Sequence, residues 1–232
     1  MRGQRRRTIF LDLDDTLIDT FGLLITPLER AAAEEICAIE GSQFTPERLT
    51  EILLKLRKQN PAELREKLRE LSNPHADQVL AARDQIFADF SVEALTISTE
   101  VVAVVKSLMP YFELVLVTEG RPKLQCAKVE HLGIRKLFDD VLVMDPASGS
   151  SKEMLIKNYM DLGNITPAQA IIVGNRLDRE IIAGNRLGVR TIWLRAGEGS
   201  EMEPRAIEAK ADVDIDNFAE LPIAIRKLVA LE

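Results

Sequence analysis

Cysteine, histidine and aromatic residues are scarce in this chain of 232 residues, which has two Cys, two His and one Trp, with aromatic side chains at 5% of the total. Cys37 and Cys126 are too few and too scattered for a disulfide framework or a zinc site. His75 and His131 show no metal-ligand spacing and no accompanying Ser or Cys nucleophile pattern, which argues against histidine chemistry. No apolar run approaches the ~18 residues that a membrane-spanning helix needs. The opening MRGQRRR is basic but leads into TIFLDLDDTL, whose acids interrupt anything resembling the apolar core of a secretory signal. A solvated basic tail and a cytoplasmic location are therefore expected. Positive charge is in deficit as well: the net charge of −7 argues against general binding to nucleic acid or an anionic membrane.

What the chain does have is a hydrophobic fraction of 46%, enough for a sizeable core. Five short apolar runs read as strands: Thr8 to Leu11, Leu114 to Val117, Val141 to Met144, Ile171 to Val173 and Thr191 to Leu194. Most are nearly continuous rather than alternating, as suits a parallel sheet covered on both faces. Helical patterns separate the later ones, over Lys123 to Leu132, Lys152 to Leu162 and Arg179 to Leu187, each stopping near a glycine (Gly133, Gly163, Gly188). A last helix is expected from about Phe218 to Leu231. This alternation predicts an α/β fold with a doubly wound parallel-sheet, Rossmann-like core.

The stretch from 20 to 91 differs, because it contains no convincing strand. It reads as successive helices opened by TPLER, TPERL, NPAEL and NPHAD, each with the Thr/Asn-Pro signature of an N-cap and first helical residue. The expected organisation is therefore a core of 1–19 and 92–232 with a smaller all-helical domain, 20–91, inserted after the first strand.

The first strand ends in Asp12, Leu13, Asp14, Asp15 and Thr16, which puts two carboxylates one residue apart just past the C-terminal edge of the sheet, where open α/β folds bind ligands. Acids stacked there repel unless a cation or proton offsets them. A helix cap followed by a solvated acidic turn is the plainer reading of two adjacent acids; the pattern D-x-D-x-T directly after a buried strand favours a functional one.

Taken together and in order, DLDDT, VLVTEG, SSKEM and IIVGNRLDREI resemble the four motifs of the haloacid dehalogenase-like hydrolases, and the insert at 20–91 resembles the helical cap that family carries after its first motif. The resemblance implies a Mg²⁺-dependent phosphatase acting on a small phosphorylated metabolite. In it Asp12 is the nucleophile, Asp14 the general acid and base, and Lys152 the cation that offsets phosphoryl charge. Thr16, Thr118, Glu119 and Gly120 would cradle the phosphate through hydroxyl and backbone N–H groups. Glu119 stands where the family often has Asn, so its side chain is expected to turn away, with Arg121 available to offset its charge. The Mg²⁺ would be held by Asp12, Asp14, Asn175 and Asp178, with Glu180 as a further candidate.

Asn175 departs from the family pattern, which usually has Asp there. An amide oxygen can ligate but brings no charge, so a weakened metal site is expected. Two other readings follow from the same residues: a catalytically impaired phosphate-ligand-binding or regulatory module, and a phosphomutase that passes the phosphoryl group to a sugar. A dehalogenase fits less well, because it would leave Asp14 without a role.

Overall fold

The computed structural model describes residues 6–39, 43–88 and 91–230; the first five residues of the basic run and Leu231 lie outside that range. Six parallel strands form one sheet in the order β3-β2-β1-β4-β5-β6. They are β1 (Arg7–Leu11), β2 (Phe112–Glu119), β3 (Asp140–Met144), β4 (Ala170–Gly174), β5 (Arg190–Leu194) and β6 (Val213–Ile215). The helices are α1 (Thr26–Cys37), α2 (Pro46–Gln59), α3 (Leu64–Leu71), α4 (Ala76–Ala88), α5 (Thr99–Leu108), α6 (Pro122–His131), α7 (Lys152–Gly163), α8 (Ile182–Arg186) and α9 (Leu221–Ala230).

The first strand is central, with Leu11 in register with Leu116 of β2 and Val173 of β4. Side chains alternate between the two faces of a strand. Ile9 and Leu11 accordingly enter one apolar cluster with Leu114, Leu116, Val105 and Ile225, while Phe10 enters another with Val115, Ile156 and Ile172. Both faces are thus covered by helices, which explains the nearly continuous apolar runs. Burying each such side chain contributes ~1.5–3 kcal/mol.

The sixth strand was not anticipated from the sequence. It has three residues, and Asp214 within it is exposed on the edge, paired with Arg195 at 2.7 Å. Helix α5 was not anticipated either, because the β-branched Val101, Val102, Val104 and Val105 weaken its helical signal. Ser98 starts it by accepting a hydrogen bond from the Val101 N–H at 3.1 Å.

Helices α1–α4 make up the inserted segment and bury their own cluster, including Ala33, Ile36, Leu49, Leu53, Leu64, Leu68 and Leu80. The turn that leads into them, Phe21–Ile25, has π-helical bonding, and Leu24 packs instead with the sheet's core. Of the four Thr/Asn-Pro openings, only Thr45 caps a helix with its side chain, accepting from Arg48 N at 3.3 Å. Thr26 continues the preceding turn and donates to Phe21 O, Asn60 opens a single 3-10 turn without a side-chain cap bond, its Oδ1 accepting from Arg205 instead, and Asn73 lies in a turn ahead of α4. Helix α6 ends two residues before Gly133 and α8 two residues before Gly188, both with positive φ, but α7 runs through Gly163 and stops at Asn164, whose φ is 51°. An Asn tolerates the left-handed conformation well enough to take that role.

Candidate functional site

The central strand ends inside the molecule, so the residue after it is placed by the sheet itself. Asp12 N–H donates to Val173 O of β4 at 3.0 Å, and the Asp12 side chain is buried. Lys152, the first residue of α7, reaches across the sheet edge. Its Nζ lies 2.5 Å from Asp12 Oδ1 and 2.5 Å from Glu180 Oε1. All three side chains are nearly inaccessible to solvent. One ammonium is thus shared by two carboxylates, with a charge-assisted bond to each.

Burial pushes the Asp12 carboxyl up to about 7, with Lys152 opposing and the neighbouring Glu180 and Asp14 charges adding to the rise. Burial disfavours the charged Lys152, but the Asp12 and Glu180 carboxylates outweigh it and hold the ammonium above its ordinary value. The other Asp12 oxygen, Oδ2, accepts from Thr16 Oγ1 at 3.2 Å. Thr16 therefore steadies Asp12, and it does not line the cavity beside it.

That cavity, of about 260 Å³, is lined by Asp12, Asp14, Glu119, Lys128, Lys152, Asn175, Arg179, Glu180 and Glu198, with Leu24, Ile25, Leu28, Phe87 and Leu124 supplying an apolar wall. A larger cavity of about 450 Å³ lies to one side, between the end of α2 and the 201–209 segment, and shares no residue with it. Asp178 lines that second cavity.

Asp178 is the clearest departure from the sequence reading. Both its oxygens are held by Arg176, Nε to Oδ1 and NH2 to Oδ2, each at 2.8 Å. Burial opposes ionisation of Asp178, but the Arg176 guanidinium prevails and keeps its carboxyl below the usual range. The acid that joins Asp12 is Glu180. It gets there because the chain after Asn175 makes a π-helical turn, Leu177–Ile181, and Glu180 Oε2 also accepts the Arg176 N–H at 3.1 Å. Gly174 is part of the same arrangement. A Cβ at that position would lie 2.3 Å from Glu180 Cγ, so only glycine lets this side chain pass.

The expected phosphate cradle on the second strand also differs. Thr118 is fully buried and its hydroxyl donates to Gln125 Oε1 at 3.1 Å. The Gly120 N–H is used by Met144 O at 2.9 Å. Neither residue lines the cavity. Glu119 does, and Arg179, not Arg121, offsets its charge at 2.8 Å.

Asn175 donates both hydrogens of its side-chain amide, to Ala196 O at 3.2 Å and Glu198 O at 2.7 Å. Its Oδ1 is thereby left for another partner. Asp12, Glu180 and this amide oxygen are hard oxygen donors from residues that line the same cavity. Such a donor set fits a Mg²⁺ ion that keeps several waters. Among the described residues, no three acidic, His or Cys side chains converge as a closed protein cage would require.

A family model described as haloacid dehalogenase-like hydrolase matches residues 9–194, from the first strand to the end of the fifth. The glyceraldehyde 3-phosphate phosphatase of Methanopyrus kandleri is 27% identical over 229 residues, covering 96% of this chain and 98% of its own. The N-acylneuraminate-9-phosphatase of Rattus norvegicus is 24% identical over 219 residues, covering 84% and 85%. Among solved structures, a haloacid dehalogenase-like family hydrolase from Xanthomonas campestris has a TM-score of 0.63 at 16% identity, covering 100% of this chain and 95% of its own. The Bacillus subtilis protein YfnB bound to magnesium has a TM-score of 0.60 at 17% identity, covering 96% and 99%. With a family match spanning most of its length, the chain belongs to the haloacid dehalogenase-like hydrolases.

Proposed function

We propose that the chain is a phosphoric monoester hydrolase that works through an aspartyl-phosphate on Asp12. The observation that carries this reading is Lys152 Nζ lying 2.5 Å from both Asp12 and Glu180, with Asp14 beside them on the same cavity. The fixed ammonium holds the attacking carboxylate and neutralises phosphoryl oxygens.

In the first step an Asp12 carboxylate oxygen forms a bond to phosphorus. The bond between phosphorus and the ester oxygen breaks, its electron pair goes to that oxygen, and Asp14 supplies the proton that makes it an alcohol. In the second step Asp14, now a carboxylate, takes a proton from water as the water oxygen attacks phosphorus. The bond to Asp12 then breaks, which restores its carboxylate and frees inorganic phosphate. Mg²⁺ held by Asp12, Glu180, Asn175 Oδ1 and the Asp14 backbone carbonyl would supply charge neutralisation of the transferred group. YfnB, a structural relative, is magnesium-bound, which supports that choice of ion.

The inserted helices act as a cap: Leu28 of α1 and Phe87 of α4, with Leu24 and Ile25 of the turn that leads into them, supply the apolar wall and exclude water from the reaction. A cavity of about 260 Å³ suits a compact phosphomonoester, in keeping with the sugar-phosphate phosphatases among its relatives.

The test is hydrolysis of p-nitrophenyl phosphate and glyceraldehyde 3-phosphate across a Mg²⁺ titration, with Asp12→Asn beside the parent. Mg²⁺-dependent release of phosphate by the parent alone supports the reading. Equal turnover by Asp12→Asn overturns it.

A further inference from the structure

The mechanism gives no part to Lys128, a buried charge on the wall of the same cavity. Lys128 lies in the middle of α6, and its side chain is 5% exposed. A lysine in such a place needs a partner, and its Nζ is 2.6 Å from Asp14 Oδ1. The same oxygen accepts from Thr20 Oγ1 at 2.6 Å. The other oxygen, Oδ2, has only a long contact of 3.4 Å from Gln125 Nε2. Gln125 stands one turn before Lys128 on the same helix face. It is itself fixed by the Thr118 hydroxyl and by donating to Glu119 O at 2.9 Å.

A buried ion pair is weak evidence for stability, since an apolar pair of similar volume often serves as well. Here the asymmetry is what matters. Groups from two elements, α6 and the turn after β1, converge on one oxygen of a carboxylate whose side chain is 27% exposed and lines the cavity.

We propose that Lys128, with Thr20, is a positioning residue that pins Oδ1 of Asp14, so that Oδ2 is the oxygen that exchanges protons with the reacting groups; the inference rests on the phosphomonoesterase reading above. As the bond from phosphorus to the leaving oxygen breaks and that oxygen takes the electron pair, the proton on Oδ2 moves to it and Asp14 is left as carboxylate. In the hydrolytic step the same oxygen receives a proton from water. Without the pin the Asp14 carboxyl rotates, and proton delivery suffers while attack by Asp12 does not.

The consequence depends on the leaving group. Phenolate is a poor leaving group that needs the proton, whereas p-nitrophenolate departs largely without it. The experiment compares kcat/KM for phenyl phosphate and p-nitrophenyl phosphate in the parent, Lys128→Met, Thr20→Val and Asp12→Asn. For Lys128→Met the expected loss is about 100-fold on phenyl phosphate and under about tenfold on p-nitrophenyl phosphate, in the range of a misplaced general acid. Thr20→Val should show the same split at smaller size, and it carries the test alone should Lys128→Met fail to fold. Equal losses on the two esters would mean that Lys128 serves the phosphoryl group or the fold, and no loss would mean that it serves neither; either overturns the inference. Turnover retained by Asp12→Asn, or a parent inactive on both esters, overturns the phosphomonoesterase reading itself.

Discussion

Asn175 is joined to Glu198 through the end of its amide that a metal would not take: the Asn175 Nδ2 donates to the Glu198 carbonyl at 2.7 Å, and to Ala196 O at 3.2 Å. The amide is thus a structural clamp on the loop after β5. A carboxylate there would face two carbonyl oxygens with no hydrogen to offer.

Asn175→Asp is therefore predicted to destabilise the fold by about 1–3 kcal/mol, the cost of leaving such groups unpaired. From the motif pattern alone the same change would be expected to improve the metal site. Urea unfolding with and without Mg²⁺ separates the two. A variant as stable as the parent in the absence of Mg²⁺ would contradict the clamp.

Glu198 also ties the insert to the core. Its carboxylate binds Arg57 of α2 at 2.5 Å and Arg176 at 2.7 Å, while Arg57 and Arg83 share Glu29, which is fully buried. The loop's Gly199 and Glu201 N–H groups bond to Arg57 O and Lys58 O. Glu198→Ala should speed hydrogen exchange at these two amides at least about tenfold, equivalent to ~1.4 kcal/mol of local stability. Unchanged exchange there would mean that the backbone pairing alone holds the insert.

The competing acids are separated by charge-neutral variants. Glu180→Gln is predicted to lower kcat/KM by about 100-fold or more, since it removes a charge from the Lys152 and Asp12 cluster, where preorganised electrostatics act. Asp178→Asn, which loosens only the Arg176 fork, should cost less than about tenfold. The reverse order would restore Asp178 to the site.

The Asp12 carboxyl sits at about 7 in the folded chain, against 3.8 ordinarily. Between those values the folded state binds more protons than the unfolded one, so stability falls as pH rises through this window. In metal-free buffer, the parent should lose stability between about pH 4 and pH 7, and Asp12→Asn should reduce that loss by at least about 1 kcal/mol. Parallel pH profiles for the two proteins would contradict the shift.

The sheet was legible in the sequence because buried parallel strands must be apolar on both faces, and Ile9, Phe10 and Leu11 show that pattern directly. Asp12 and Asp14 stood out as carboxylates just past the first strand, while Lys152 was singled out through the resemblance to the family's third motif; the structure brings Lys152 to 2.5 Å from Asp12. Glu180 was not selected over Asp178, because regular helical spacing from Asn175 takes no account of the π-helical turn. Lys128 and Gln125 were missed for a different reason. Nothing in the pattern of α6 distinguishes a lysine that faces a buried carboxylate from one in solvent, although the spacing from Gln125 to Lys128 places both on one helix face. The role of Thr118 depended on that same glutamine, whose position only the folded chain fixes.

The central claim is that Asp12 carries the phosphoryl group. The most direct measurement is acid-quenched single turnover of p-nitrophenyl phosphate with Mg²⁺, followed by peptide mass analysis of the parent and of Asp12→Asn. The account predicts a transient phosphoryl adduct on the peptide that contains Asp12 in the parent, formed and lost at rates consistent with turnover, and none in Asp12→Asn. Turnover without any adduct, or an adduct on another residue, would contradict it.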